Sequence, residues 1–357
     1  MDNLSHMKIT ELSRMIDIPK LSISRFFKRP ENDLDDFIEK NSGRVIGLKP
    51  NGVSACIKEL IPDSYNKGGV VICANLCGGT AKTTGVVNLS YSARRVYPLE
   101  TPIILIDGDS QASLSQYITG SPSQDETTLN DYLSDIEKEK KAKKRKAKYK
   151  RQYSINDIIN DIGNNMYIIK SNLDLMYFQR LFSSSIQVKE TMKNLYDELF
   201  AKFGDKAIIF QDNTPQLTTL FGSSVCALYD LDPKKYMRAI IVPMRTDSFA
   251  MEGASKIISE VEDLIEAFNF KNNVPVITYF SSIDKRINST GQAIKNASEN
   301  PVIVESLADC FIRYSADIPK HINNQTNSNV FLESKSSKAK DDYSELLHFI
   351  IKKIDSN

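Results

Sequence analysis

Val70-Val71-Ile72-Cys73-Ala74-Asn75-Leu76-Cys77-Gly78-Gly79-Thr80-Ala81-Lys82-Thr83-Thr84 is the stretch that decides the fold. A β-branched apolar run ends in two glycines, and Lys-Thr-Thr then opens an amphipathic segment, Val86-Val87-Asn88-Leu89-Ser90. The order is strand, phosphate-cradling loop, helix. Glycines let backbone N–H groups turn inward around a phosphate, a lysine neutralises charge, and a hydroxyl ligates Mg²⁺. The helix that follows adds its positive N-terminal dipole.

Two more segments extend the pattern. Ile103-Ile104-Leu105-Ile106-Asp107-Gly108-Asp109-Ser110-Gln111 is a buried-type strand ending in two carboxylates. Ala207-Ile208-Ile209-Phe210-Gln211-Asp212-Asn213-Thr214-Pro215 is another, with its acid at the carboxyl end. Ligands of parallel α/β sheets sit beyond the carboxyl ends of the strands. Three such ends place Lys82, Asp109 and Asp212 around one nucleotide. The alternation of strands and helices predicts an α/β, P-loop NTPase-type architecture, a mostly parallel twisted sheet flanked by helices.

These motifs resemble the ParA/MinD group of deviant Walker-A ATPases, most closely the larger plasmid-type ParA partition proteins. The family loop K-G-G-V-x-K-T-[ST] corresponds to Cys77–Thr84, D-x-D-P-Q to Asp107–Gln111, and D-T-P-P-x-L to Asp212–Leu217. The later I-P-x-x-x-x-x-F-x-x-x-G pattern corresponds to Val242–Gly253, and the ordered set covers roughly residues 70 to 355. The resemblance implies ATP and Mg²⁺ as cofactors. It assigns Gly78, Gly79, Thr80 and Ala81 to the phosphate cradle, Lys82 to the β/γ-phosphates and Thr84 to the α-phosphate. Thr83 ligates Mg²⁺, Asp212 holds it through water, and Asp107 supports its shell. Lys82 and Asp109 carry catalysis, Asp109 orienting the attacking water. Pro243 and Met244 begin the expected adenine contact. Two departures stand out: Ala81 replaces a glycine, and Cys77 replaces the signature lysine that reaches a partner's phosphates, leaving open which group takes over its charge.

The chain's 357 residues suffice for one large domain and a small one, with ordinary apolar and charged fractions of 41% and 25%. No apolar run approaches a membrane span, and the polar start is not a signal peptide. Five cysteines and three histidines show neither disulfide nor zinc spacing, as in a cytoplasmic protein. Charge is uneven. Residues 137–151 hold ten basic and two acidic side chains in a chain of net charge +1, so the remainder is net negative. That asymmetry points to a polyanion partner.

Residues 1–65 read as a separate helical domain and 66–357 as the ATPase domain, with an insertion at about 121–165. Residues 9–29 predict two short helices around a turn at Asp17–Lys20, helix-turn-helix-like, with Ile18, Leu21, Ile23 and Phe26 inward. Lys20, Ser22, Ser24 and Arg25 are then left for DNA. The alternative is a helical hairpin that braces a dimer. The basic run, with Lys143, Lys144, Arg145 and Lys146 at its centre, has high helix propensity and almost no apolar residues. It predicts an exposed or partly disordered helix, either a solvated charge run or a backbone-binding surface for nucleic acid. The segment Ile283–Arg286, through Lys285 and Arg286, and Arg313 supply further candidate DNA-facing cations. Tyr343, Leu346, Leu347, Ile350, Ile351 and Ile354 make one helical stripe, predicted to pack on the core rather than on a membrane.

The expectation is a DNA-partition ATPase that forms an ATP-bound homodimer and binds DNA non-specifically at the nucleoid. A ParB-like centromere-binding protein would be its partner, and no membrane is involved. The alternatives are a nucleotide-sensing DNA-binding regulator with negligible hydrolysis and a MinD-like membrane-positioning ATPase.

Overall fold

The computed structural model describes residues 6–29, 32, 34–42, 44–62, 65–120, 126–181, 185–284, 286–287, 289–315, 331 and 338–356. The chain begins with helices α1 (Ile9–Met15), α2 (Lys20–Phe27) and α3 (Leu34–Phe37), the antiparallel hairpin β1 (Ile38–Asn41) and β2 (Arg44–Leu48), and α4 (Pro50–Leu60). The α/β portion follows as β3 (Gly69–Cys73), α5 (Lys82–Val96), β4 (Ile103–Gly108), α6 (Ser113–Thr119), α7 (Leu129–Lys144), α8 (Ile155–Ile158), β5 (Ile159–Gly163) and β6 (Met166–Ile169). It continues with α9 (Leu175–Leu181), α10 (Ser185–Phe203), β7 (Ile208–Asn213), α11 (Thr219–Asp230), β8 (Met237–Met244), α12 (Ser248–Phe268), β9 (Val276–Ile283), α13 (Ser289–Glu299) and β10 (Leu307–Arg313). A last helix, α14, spans Lys338–Asp355.

Eight strands form one sheet in the order β10-β9-β8-β3-β7-β4-β6-β5. Neighbours are parallel except β6 with the edge strand β5. A parallel sheet must be covered on both faces, so its strands read as continuous apolar runs. Side chains alternate between the two sides. Val71, Cys73, Ile103, Leu105, Ile208 and Phe210 enter one core, whereas Val70, Ile72, Ile104, Ile106 and Ile209 enter the other.

The first core also takes in α1, α2, α4 and α14, through Leu12, Ile23, Phe26, Val53, Ile57, Leu346 and Ile350. Helices α1, α2 and α4 are therefore packed against the sheet domain. Arg95, at the far end of α5 and 2% exposed, donates from Nη1 to Glu11 Oε1 at 2.6 Å and from Nη2 to Glu11 Oε2 at 3.0 Å. The turn between α1 and α2 holds Asp17 at φ 51°. Leu21, read from sequence as an inward residue of α2, is 60% exposed. The 100° step of the helix carries it away from the Ile23–Phe26–Phe27 face that is buried. Lys20 and Arg25 are exposed as expected, and Ser22 and Ser24 are half-buried. The β1–β2 hairpin had no sequence counterpart.

The basic run is more anchored than its composition implied. Leu129, Tyr132, Leu133 and Ile136, at helical spacing, seat the start of α7 in the second core. Asp135 then ties down the chain after the helix: Tyr149 Oη donates to its Oδ1 at 2.5 Å, and the Gln152 and Tyr153 amides donate to Oδ2 at 2.6 and 2.9 Å. Arg151 pairs with Glu198 at 2.5 Å and stacks over Tyr132. Lys138, Lys141, Lys143, Lys144, Arg145, Lys146, Lys148 and Lys150 remain on the surface. The insertion is a structured arm with a cationic tip; its residues 121–125 lie outside the described residues.

The apolar stripe of α14 is buried through Tyr343, Leu346, Leu347, Ile350 and Ile351, against β10 and α5. Among the described residues, no helix is long and apolar enough to cross a membrane.

Candidate functional site

β3 is central, between β7 and β8, and β4 lies beyond β7. The carboxyl ends of these four strands converge on the loop from Ala74 to Ala81. Chain order reverses direction about β3, which places the loop at the crevice where open α/β sheets bind ligands.

The loop is fixed from below. Asn75, fully buried, donates from Nδ2 to the carbonyls of Pro243 at 2.8 Å and Ala250 at 3.2 Å. Its Oδ1 accepts from Cys77 N at 2.8 Å. Gly253 of α12 permits this approach, because a Cβ there would lie 2.5 Å from Asn75 Oδ1. Ser281 Oγ of β9 lies 3.0 Å from the Thr80 carbonyl and 3.1 Å from the Met244 carbonyl. Thr80 is buried and donates to Cys77 O at 3.2 Å, while Gly78 and Gly79 are exposed.

Two residues of the loop have left-handed backbone, Gly79 at φ 69° and Ala81 at φ 68°. Glycine adopts this at no steric cost, whereas a Cβ costs about 1–2 kcal/mol. Ala81 thus retains the backbone of the glycine it replaces. Ala81→Gly is expected to raise stability by about 0.5–1 kcal/mol, the relieved clash less the extra entropy of an unfolded glycine. Urea denaturation measures it, and an unchanged or lowered midpoint would contradict this account of the loop.

Lys82 and Thr83 open α5, so the helix N-terminus faces the loop. Lys82, 8% exposed, donates from Nζ to Cys77 O at 3.2 Å and so lies back along the loop. Thr83 Oγ1 donates to Asp212 Oδ2 at 2.5 Å. Asp212 Oδ1 is buried and, among the described residues, has no hydrogen-bond partner. Burial, and then the neighbouring Asp107 carboxylate, push Asp212 up to about 8. Asp107 is the register partner of Asp212 across β4 and β7. Burial pushes Asp107 up to about 6, against the bonds it accepts. Its Oδ2 accepts from Ser115 N at 2.8 Å and Ser115 Oγ at 2.6 Å, and its Oδ1 from Asp109 N at 3.2 Å. Asp109 is buried with Oδ1 accepting from Gln111 N at 2.9 Å.

Three close carboxylates, one with an orphaned buried oxygen beside a threonine hydroxyl, call for a hard cation. Among the described residues no group of three or more His, Cys, Asp or Glu side chains forms a metal cage. Mg²⁺ needs none, since it binds through one or two protein oxygens with waters and phosphate oxygens completing its shell. Thr83 and Asp212 fit that role directly. Asp107 has both oxygens occupied by hydrogen bonds and acts on the site through its charge and through Asp109.

Pro243 and Met244 are buried, and their carbonyls are engaged by Asn75 and Ser281. The accessible part of that segment begins at Arg245. Lys143 and Lys144 end α7, with Arg145 and Lys146 directly after it, and Lys20, Ser22, Ser24 and Arg25 lie on α2, so neither set is part of this site. Arg313 is bound to Asp342, Nε to Oδ1 at 2.9 Å, and Arg286 to Asp284 at 2.6 Å; Lys285 lies outside the described residues. Sequence reasoning named Gly253 only as the last residue of a motif and did not single out Asn75, Ser115 or Ser281. Their signal was a polar or small residue inside or beside an apolar run.

A family model described as AAA domain (AAA_31) matches residues 68–276. No curated protein matches the sequence. Among solved structures, an ATP complex of a Cyanothece McdA variant aligns with a TM-score of 0.61 at 14% identity, covering 80% of this chain and 97% of that one. A Borrelia burgdorferi B31 protein named for plasmid partition and bound to AMPPNP aligns at 0.53 and 18%, covering 80% and 100%. Cobyrinic acid a,c-diamide synthase from Mycobacterium smegmatis, with bound ATP analogue and magnesium, aligns at 0.58 and 15%, covering 78% and 93%. At these identities the structural likeness concerns the fold.

Proposed function

We propose, from the premise that this chain belongs to the AAA domain family AAA_31, that it is a deviant Walker-A, ParA/MinD-type DNA-partition ATPase. The observation that carries the reading is the Thr83–Asp212 pair beneath a glycine loop at the start of α5, with Asp107 and Asp109 on the adjoining strand end. This is an arrangement for holding a polyphosphate and its cation.

Phosphoryl transfer to water needs positioning and charge neutralisation more than covalent chemistry. The loop amides and Lys82 bind the phosphates, and Thr83 with Asp212 would hold Mg²⁺, which supplies charge neutralisation between the phosphates. Asp109, fixed by its bond to Gln111 and by Asp107, orients the attacking water. The buried strand ends exclude bulk solvent from these groups. Pro243 and Met244 support the base-facing segment from beneath.

A second copy of this chain is the proposed partner across the site. Leu173, Tyr177, Leu217, Phe249, Ile287 and Tyr314 are exposed large apolar residues, and each follows the carboxyl end of a parallel strand. Phe249 is 74% exposed. All six lie beyond the same edge of the sheet, the edge on which a second copy facing the nucleotide would sit. The buried stripe of α14 argues against the MinD-like membrane reading. The family resemblance supports a ParB-like centromere-binding partner and a nucleoid-associated place in the cytoplasm.

Non-specific DNA would be held by the cationic tip, with Lys20, Ser22, Ser24 and Arg25 of α2 as a second, operator-directed surface. Counterion release makes such binding fall linearly with log salt, at a slope near −0.9 per neutralised phosphate. Replacing Lys143, Lys144, Arg145 and Lys146 together by Ala is expected to flatten the slope by about 2–4 in a fluorescence-anisotropy titration of random duplex with ATP and Mg²⁺. An unchanged slope would remove the arm from the DNA interface.

A further inference from the structure

We infer that Arg245 is a second phosphate-binding cation of the nucleotide site, acting on the terminal phosphate and so distinguishing ATP from ADP. The inference rests on the nucleotide reading above. A Cβ built on Gly79 would lie 3.2 Å from Arg245 Nη1 and 4.0 Å from its Cζ, so the guanidinium borders the loop backbone itself.

That position is built into the fold. β8 runs beside β3 with Ile241 opposite Cys73, so the residues that follow pass alongside the loop. Asn75 holds Pro243 and Ala250, and Ser281 holds Met244 together with Thr80, which fixes the backbone on both sides of Arg245 to the loop. Asp247 then fixes the side chain. Its Oδ1 caps α12 by accepting from Ala250 N at 2.9 Å, and its Oδ2 accepts from Arg245 Nε at 2.9 Å. With Nε occupied in this way, Nη1 is directed at Gly79. The side chain is 45% exposed, so a ligand in the loop can reach it.

The end of the loop that Arg245 borders is the end that receives the terminal phosphate. The lysine of such loops reaches the β/γ-phosphates. Here Lys82 Nζ points back to Cys77 O at 3.2 Å, which locates those phosphates at the Cys77–Gly79 end. Cys77 brings no positive charge there. A guanidinium offers parallel N–H donors suited to phosphate oxygens, and a charge-assisted bond of this kind is stronger than a neutral one. ADP lacks the group that Arg245 would meet.

The test is equilibrium titration of the full chain with fluorescent ATP and ADP analogues in Mg²⁺, comparing wild type with Arg245→Ala, Arg245→Met and Arg245→Lys. Thermal melting serves as the fold control. Arg245→Ala and Arg245→Met are expected to weaken the ATP analogue at least about 10-fold and the ADP analogue less than about 3-fold, with Arg245→Lys between those variants and wild type, since an ammonium keeps the charge but not the parallel N–H donors or the Nε bond to Asp247. Equal loss for both nucleotides, or no loss, in variants with wild-type melting would overturn the assignment. A wild-type chain that bound neither nucleotide would overturn the nucleotide reading itself, and the role of Arg245 with it.

Discussion

Lys82→Ala is expected to lower ATP turnover at least about 100-fold while leaving the melting temperature close to that of the wild type. Among the described residues the Lys82 ammonium donates one hydrogen bond, to the Cys77 carbonyl at 3.2 Å, and its removal also relieves the cost of holding a charge in an 8% exposed side chain, so it costs the fold little. The nucleotide loses far more. The ammonium is held in a buried setting at the helix N-terminus, where a charge acts through low dielectric and needs no reorganisation during the reaction. Lys82 also pulls the Asp212 carboxyl down, against its burial and the push of Asp107 and Asp109. Radiolabelled phosphate release, with circular dichroism melting alongside, checks both halves. Turnover within a few-fold of wild type would remove Lys82 from the mechanism.

Glu11→Ala is expected to cost about 3–5 kcal/mol of stability, because it leaves the Arg95 guanidinium buried without its carboxylate. Glu11 and Arg95 meet at 2.6 and 3.0 Å with Arg95 2% exposed, joining α1 to the far end of the helix that starts at the phosphate loop. Burial alone would raise the Glu11 carboxyl, but Arg95 and its bonds outweigh that and hold it below its ordinary 4.5. A depressed carboxyl contributes stability that is complete above the ordinary value and disappears as pH falls through the depressed one. Urea denaturation at neutral pH should therefore show the full loss in Glu11→Ala, with the gap to wild type closing in acid. Glu11→Ala combined with Arg95→Met should recover much of it. An exposed-pair effect below about 1 kcal/mol would show the bridge to be solvated.

The phosphate loop, the sheet and the three carboxylates were legible because each is local. A buried parallel strand is a run of β-branched residues, and an acid directly after it can lie only at the carboxyl edge. The amphipathic stripe of α14 was legible for the same reason, its period alone marking a buried face. Relations between distant segments were not legible. Arg245 lies four residues past Ile241, and nothing in its neighbourhood says that β8 pairs with β3 and not with another strand. Asn75 and Ser281 look like ordinary polar residues until the sheet brings their partners together. The basic run ends an exposed helix as its composition implied, but charge density drew attention away from the four apolar residues ahead of it, Leu129, Tyr132, Leu133 and Ile136, which are spaced as a helix face and anchor it. Leu21 misled in the opposite direction: an apolar residue on a short helix next to a turn, with nothing in the sequence to show that its side faces solvent.

The central claim is that the loop, Thr83 and Asp212 hold ATP and Mg²⁺ for hydrolysis in a DNA-responsive enzyme. Phosphate release from ATP, measured with and without Mg²⁺ and with and without random-sequence duplex DNA, tests it most directly. The account predicts slow release that requires Mg²⁺ and rises with DNA. Tight ATP binding with no release under any of these conditions would contradict it and leave the nucleotide as a switch that governs DNA binding.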